Sequence, residues 1–278
     1  EKPFGIDMAA CRAILDSMAR QPRAFVRCSS EFPFYPAMQR AGAMIESGAL
    51  GRILEANAGF FHSSDLDPQK PINWKRQIEF NGEYGCMGDL GMHVCHAPFR
   101  AGWRPLNVRA ILSNIVTRRP DGKGGTAPCD TWDNATLLCE TLDPASRATF
   151  PMTLRMQRIA PGEMNTWSFE AKGDRACVRF STRSPQALSL LEYKDGRQDW
   201  AEAMQGYRAV FPTITGTIFE FGFCDAILQM WAGYLHELVH GRPRTRFSGT
   251  ATPEEAALSH RLFTAALESQ RTGATVEV

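Results

Sequence analysis

A Gly-x-Gly-x-x-Gly turn is missing from all 278 residues, and with it the usual grip on a dinucleotide pyrophosphate. No apolar run reaches the roughly 18 residues that a membrane-spanning helix needs. Lys and Arg are nowhere concentrated and the net charge is only +1, which argues against nucleic acid or an anionic membrane as the partner. None of the eight cysteines forms a Cys-x-x-Cys pair, and a chain this large needs no disulfide scaffold. Reduced, mostly buried thiols in a cytoplasmic protein are therefore expected. A start at Glu1, without a signal peptide or an initiator Met, leads us to expect a lost upstream segment.

What is present is ordinary for a globular protein: 44% hydrophobic and 22% charged residues, enough for one large or two modest domains. Residues 6–20 place Met8, Cys11, Ile14, Leu15 and Met18 at helical spacing. Ala24–Cys28 reads as a short buried strand, Pro36–Ser47 as a helix closed by Gly48, and Ile53–His62 as a strand. Gly88–Gly102 is expected to be helical. Period-2 or β-rich runs then follow at 106–116, 134–142, 147–156, 165–171, 176–181 and 188–193, with turn residues between them. Successive strands without intervening helices predict an α+β fold on a large, mostly antiparallel sheet. Phe219–His240 and a segment capped by Thr252, with Pro253 at its first position, return to helix.

The chemistry-bearing stretch is Gly85-x-x-x-Asp89-Leu90-Gly91-x-His93. On a helix, Asp89, His93 and His96 share one face. The carboxylate is placed to hydrogen-bond one imidazole nitrogen of His93 and leave the other to accept a proton. Gly85, Gly88 and Gly91 would allow close approach of backbone or ligand. A buried, satisfied Asp–His pair fits the same spacing.

Taken in order, Glu1-Lys2-Pro3, Ser-Gly-x-Leu-Gly-Arg (47–52), Trp74-Lys75-Arg76, the glycine–Asp–His stretch, Gly206-Tyr207 with Phe211-Pro212, and Gly241-Arg242-Pro243 resemble the Gfo/Idh/MocA family. These are relatives of glucose–fructose oxidoreductase and inositol dehydrogenase, and the resemblance runs over nearly the whole chain. It implies hydride transfer between NAD or NADP and a sugar, polyol or related secondary alcohol. It also implies that Lys2, Asp89 and His93 are catalytic, with His93 taking the hydroxyl proton, Lys2 bonding the oxyanion and Asp89 orienting His93. Glu1, Lys2 and Pro3 would border the cofactor, and Trp74, Lys75, Arg76 and His96 the substrate. Residues 1–30 would be the end of a Rossmann domain and 31–278 the substrate and oligomerisation domain, so cofactor binding by this chain alone is not expected. Three positions depart from the family pattern: Ser30-Glu31-Phe32 at the domain crossover, a glycine cluster reduced to Gly82 and Gly85, and His96 where an Asp is usual.

Other readings compete. His236-Glu237-Leu238-Val239-His240 matches the His-Glu-x-x-His zinc signature, although Gly241-Arg242-Pro243 ends the helix at once. Asp89, His93 and His96 could instead ligate a metal. The chain could also be an assembly module, a homo-oligomer held through alternating sheet positions such as Phe180, Leu188 and Leu190. Gly122-Lys123-Gly124-Gly125 lacks phosphate-loop spacing and reads as a turn.

Overall fold

Alternation of buried and exposed side chains governs the middle of the chain, because one face of its sheet is covered and the other is open. The computed structural model describes residues 2–205, 208–216 and 218–278. Glu1 and the Gly206-Tyr207 pair lie outside the described residues. The helices and strands begin with α1 (Met8–Ala19), α2 (Pro36–Glu46), β1 (Ile53–Phe61), α3 (Ile78–Asn81) and α4 (Cys86–Arg100). Next come β2 (Arg104–Pro105), β3 (Asn107–Ser113), β4 (Arg118–Pro120), β5 (Thr126–Pro128), β6 (Asn134–Asp143) and β7 (Ala148–Gln157). They end with β8 (Thr166–Gly173), β9 (Ala176–Ser181), β10 (Ala187–Glu192), β11 (Ala201–Met204), α5 (Phe223–His240), α6 (Pro253–Thr272) and β12 (Val276–Glu277).

The main sheet has the order β11-β10-β9-β8-β1-β7-β6-β3-β12, with β2 alongside β6. Only β1 and β7 run parallel; the other named pairs in this sheet are antiparallel. The expected mostly antiparallel sheet is present. Across its centre Met156, Phe60 and Trp167 stand in register, as do Leu154, Ala58 and Phe169. All six are buried beneath the helices. The opposite face leaves Ile111 and Leu138 more than half exposed and carries the Lys172–Glu55 and Arg179–Glu170 pairs. Phe180 and Leu188, named above as an assembly surface, instead belong to the core: their strand parity turns them toward the helices.

Every residue of α4 is buried, since the helix lies between the sheet and α6. Gly91 serves that packing rather than a ligand, because a Cβ there would fall 2.2 Å from the Phe263 ring of α6. Thr252 caps α6 as expected, accepting from the Glu255 amide while Glu255 reaches back to the Thr252 amide at 2.8 Å. Ala24–Cys28 does not join the sheet; it makes a single bridge from Cys28 to Ala251. Nor is it buried as expected: Ala24 is exposed, Phe25, Val26 and Arg27 are half-buried, and only Cys28 enters a small cluster with Phe4, Cys11, Met92, Ala251, Ala256 and Ala257. An apolar run of that length is equally at home against helices. Residues 122–125 form the turn between β4 and β5, held by Asp121 accepting from the Lys123 and Gly125 amides.

Candidate active site

β1 and β7 end side by side, and the residues just beyond them, His62 and Arg158, open onto one cavity. The His62 amide donates to Gln157 at 2.8 Å, locking these ends together. α4 points its N-terminus at the same place. Gly85 begins the helix with φ 56°, and a Cβ there would sit 2.5 Å from the Trp132 amide nitrogen. Asp89 lies in the first turn, where the helix dipole favours a negative charge. Lys2 arrives from the N-terminal segment, next to a cis Lys2–Pro3 bond. Lys75 comes from the short 3-10 turn Trp74–Arg76, which Asn73 caps by accepting from the Lys75 amide.

The cavity, of about 540 Å³, is lined among others by Lys2, His62, Lys75, Asp89, His93 and Phe223. Three cations converge on Asp89. Lys2 Nζ lies 2.8 Å from Oδ1 and also donates to the Asp89 carbonyl, Lys75 Nζ lies 3.1 Å from Oδ1, and Arg158 lies 2.5 Å from Oδ2. Burial alone would raise this carboxyl, but Arg158, Lys2 and Lys75 together hold it well below the usual carboxylate range. The network continues from Arg158 to Asp65, on to Arg76, and from Arg76 to Asp133.

The expected Asp89–His93 hydrogen bond is not formed. A shared helix face permits it, but three full charges outbid a neutral imidazole for the two oxygens. The carboxylate beside His93 is that of Glu31, with Oε2 3.7 Å from Nδ1, just beyond hydrogen-bond length. Phe32 and Phe60 pack edge-on against the imidazole, and its backbone carbonyl accepts from Trp167 Nε1 at 2.9 Å. Burial, then the charge of Lys2, depress His93 to about 3. Burial and Arg158 depress His62 to about 4, so both rings are neutral at pH 7.

The other expected site residues divide. Lys75 lines the cavity, and burial lowers its ammonium against the pull of Asp89. Trp74 stands at the rim, 52% exposed. Arg76 does not reach the cavity. It is fully buried between Asp65 and Asp133, at 2.6 Å from each, because two buried carboxylates require a cation between them. His96 is also fully buried, one turn deeper along α4 beside Ser30 and Gly249, and lines no part of this cavity. His62, Arg158 and Glu31 belong to the cavity but were not picked out as chemical groups in the sequence. The first two carried a usable signal, a polar residue directly after an apolar strand.

The His-Glu-x-x-His segment takes a structural part instead. Glu237 is 2% exposed and receives bonds from Arg27 Nε at 2.8 Å and from the Thr250 amide and hydroxyl. Among the described residues no group of three or more His, Cys, Asp or Glu side chains is placed to hold a metal ion. Asp89 in particular has both oxygens engaged by cations.

The model of the GFO/IDH/MocA C-terminal domain matches residues 38–179. Levoglucosan dehydrogenase of Pseudarthrobacter phenanthrenivorans is 25% identical over a 200-residue alignment that covers 67% of this chain and 48% of that protein. The chain thus spans about half the length of the curated relative it matches. Among solved structures, an oxidoreductase domain protein from Kribbella flavida superposes with a TM-score of 0.85 at 18% identity, covering 100% of this chain and 72% of that one. Levoglucosan dehydrogenase in complex with NADH and L-sorbose gives 0.83 at 21%, with the same coverage. An inositol dehydrogenase homolog complexed with NAD+ from Azotobacter vinelandii gives 0.78 at 18%, covering 100% and 71%. At these identities the superpositions establish the fold.

Proposed function

The chain belongs to the GFO/IDH/MocA family, and on that footing we propose that it supplies the proton-handling half of a sugar or polyol dehydrogenase site. The observation that carries this reading is the convergence of Lys2, Asp89 and the neutral His93 around one cavity. A secondary alcohol placed there would lose its proton to His93 Nε2. The Lys2 ammonium would hydrogen-bond the oxygen as negative charge develops on it. Asp89 fixes Lys2 and Lys75 rather than the imidazole. Glu31 takes the orienting role: closing the 3.7 Å gap to Nδ1 would stabilise His93 as it becomes an imidazolium, a state that its buried surroundings otherwise oppose.

NAD or NADP would accept the hydride in a reaction of this class. The described residues do not fit such a cofactor as a whole. They contain no strand, glycine-rich turn and helix to receive a pyrophosphate, and the parallel pair β1–β7 ends in His62 and Arg158 instead. We therefore assign no binding step to it here, and we expect titration of NAD(H) or NADP(H) into the 278-residue chain to show no saturable binding. Residues up to 30 are read as the end of a dinucleotide domain and 31–278 as the substrate domain. The open sheet face with Ile111 and Leu138 is the surface through which copies would pair. Eight free thiols fit a reducing compartment such as the cytoplasm, and among the described residues no helix is long and apolar enough to cross a membrane.

The test is a screen of the complete gene product for sugar- or polyol-dependent nicotinamide reduction. Activity that His93→Ala removes, and that Glu31→Gln lowers in kcat more than in KM, supports the reading. Activity indifferent to His93→Ala refutes it.

A further inference from the structure

Phe223 is the first residue of α5, 41% exposed, and it walls two cavities at once. On one side is the cavity containing His93. On the other is a second cavity of about 580 Å³, bordered by Phe32, Tyr35, Asn165, Thr182 and Arg183. Resting on the alcohol-oxidising reading of the first cavity, we propose that the second holds the neighbouring ring of a disaccharide or glycoside, so that the substrate is a glycosylated sugar rather than a free monosaccharide.

The lining has the character that a pyranose ring requires: the exposed Phe223 ring for its C–H surface, backed by the buried Phe32 and Tyr35, and a few polar groups for its hydroxyls. Phe32, which lines the second cavity, packs against a wall of the first. Its ring packs edge-on to His93 at 5.3 Å and lies 6.0 Å from Phe223 on the other side. It is fixed by stacking on Trp167 at 5.2 Å, so this wall is preformed. Tyr35 is only 3% exposed, borders this cavity, and its ring is held between Phe180 and Phe221 at 5.4 Å from each. Burial, then Glu31, push its hydroxyl up to about 12, so it stays a donor at any working pH. Arg183 is held at the rim by Glu163 at 2.9 Å and by the Gly162 carbonyl at 2.8 Å. None of these polar groups lines the first cavity, so they have no part in handling the alcohol.

The experiment is calorimetric titration of the complete gene product with glucose, maltose and cellobiose. One disaccharide is expected to bind about tenfold more tightly than glucose. Tyr35→Phe, which removes one hydrogen-bonding atom, should cut that advantage roughly fivefold, with the glucose Kd moving less than about twofold. Arg183→Ala, on an exposed side chain, is the second variant and should cut it as well. If neither disaccharide outbinds glucose, or if the advantage survives both variants, the second-ring site is overturned. Glucose binding that His93→Ala weakens, without any disaccharide gain, overturns this inference alone and leaves the alcohol site standing. Failure of all three sugars to bind overturns both.

Discussion

Asp89→Asn keeps the shape of the side chain and removes one charge from a site where the balance already leans positive. Lys2, Lys70, Lys75, Arg76 and Arg158 face Asp65, Asp89 and Asp133 within one network. Removing one partner of a buried ion pair costs about 3–5 kcal/mol. Arg158 would keep Asp65, and Lys2 and Lys75 retain 17% and 30% side-chain exposure, so water compensates part of the loss. The low end, about 3 kcal/mol, is therefore expected. For a domain of this size that corresponds to a fall of roughly 6–12 °C in Tm. Urea unfolding and thermal melts measure it. The charge argument also predicts a change of sign. Lys75→Met should destabilise the parent protein, where it removes a partner of Asp89, and stabilise the Asp89→Asn variant, where it relieves repulsion from Lys2 and Arg158. A loss below about 1 kcal/mol for Asp89→Asn, or the same sign for Lys75→Met in both backgrounds, would refute the reasoning.

The remaining predictions concern protonation and packing. His62, His93 and His260 sit at about 4, 3 and 4 in the fold, against about 6.5 when unfolded. Their stabilisation is thus complete above pH 6.5 and lost as pH falls toward those values, at up to about 1.4 kcal/mol per pH unit for each ring. Urea midpoints that stay level between pH 7 and 5 would contradict this. Glu237→Gln should cost about 1–3 kcal/mol by weakening the bonds from Arg27 and Thr250. It should leave metal content unchanged, whereas stoichiometric zinc lost in the variant would restore the hydrolase reading. Gly91→Ala drives a methyl into Phe263 and should cost about 1–3 kcal/mol, part of which Phe263→Leu should recover. An unchanged Tm for the Gly91 variant would show that α6 yields more freely than its burial implies.

The strands were legible because the sheet is covered on one side only. From Asn134 to Asp143 burial alternates without a break, and the sequence shows the same period over 134–142. Ala24–Cys28 misled. Only Cys28 of it is buried, and a short apolar run looks the same whether it pairs in a sheet or lies half-buried against helices. From spacing alone the site was legible only locally; that Lys2 joins Asp89 and His93 came from the family resemblance. Placing Asp89 and His93 on one helix face needed nothing beyond a period of 3.6 residues. The real partners of Asp89 lie 87 residues away at Lys2 and 69 away at Arg158, and no spacing rule reports them. Arg76 failed as a ligand-binding residue for a related reason: its neighbours in sequence, Trp74 and Lys75, turn toward the cavity while Asp65 and Asp133 draw it into the interior.

Exchanging the expected carboxylate partner changes what each group can do. A His93 paired with Asp89 would be held basic and partly charged before substrate arrives. Surrounded instead by Phe32, Phe60 and the positive field of Lys2, it stays neutral, and Glu31 waits just out of bonding range. In the proposed reaction, protonation of the ring would become favourable only when the alkoxide oxygen satisfied Lys2 and lifted part of that field. The proton and the developing negative charge would then be coupled through Lys2. Lys2→Met should therefore raise the pKa of His93 in the free protein while lowering kcat with an alcohol. Imidazole chemical shifts followed against pH would read the first effect. A His93 pKa unmoved by Lys2→Met would leave the two groups uncoupled and the division of labour proposed for them without support.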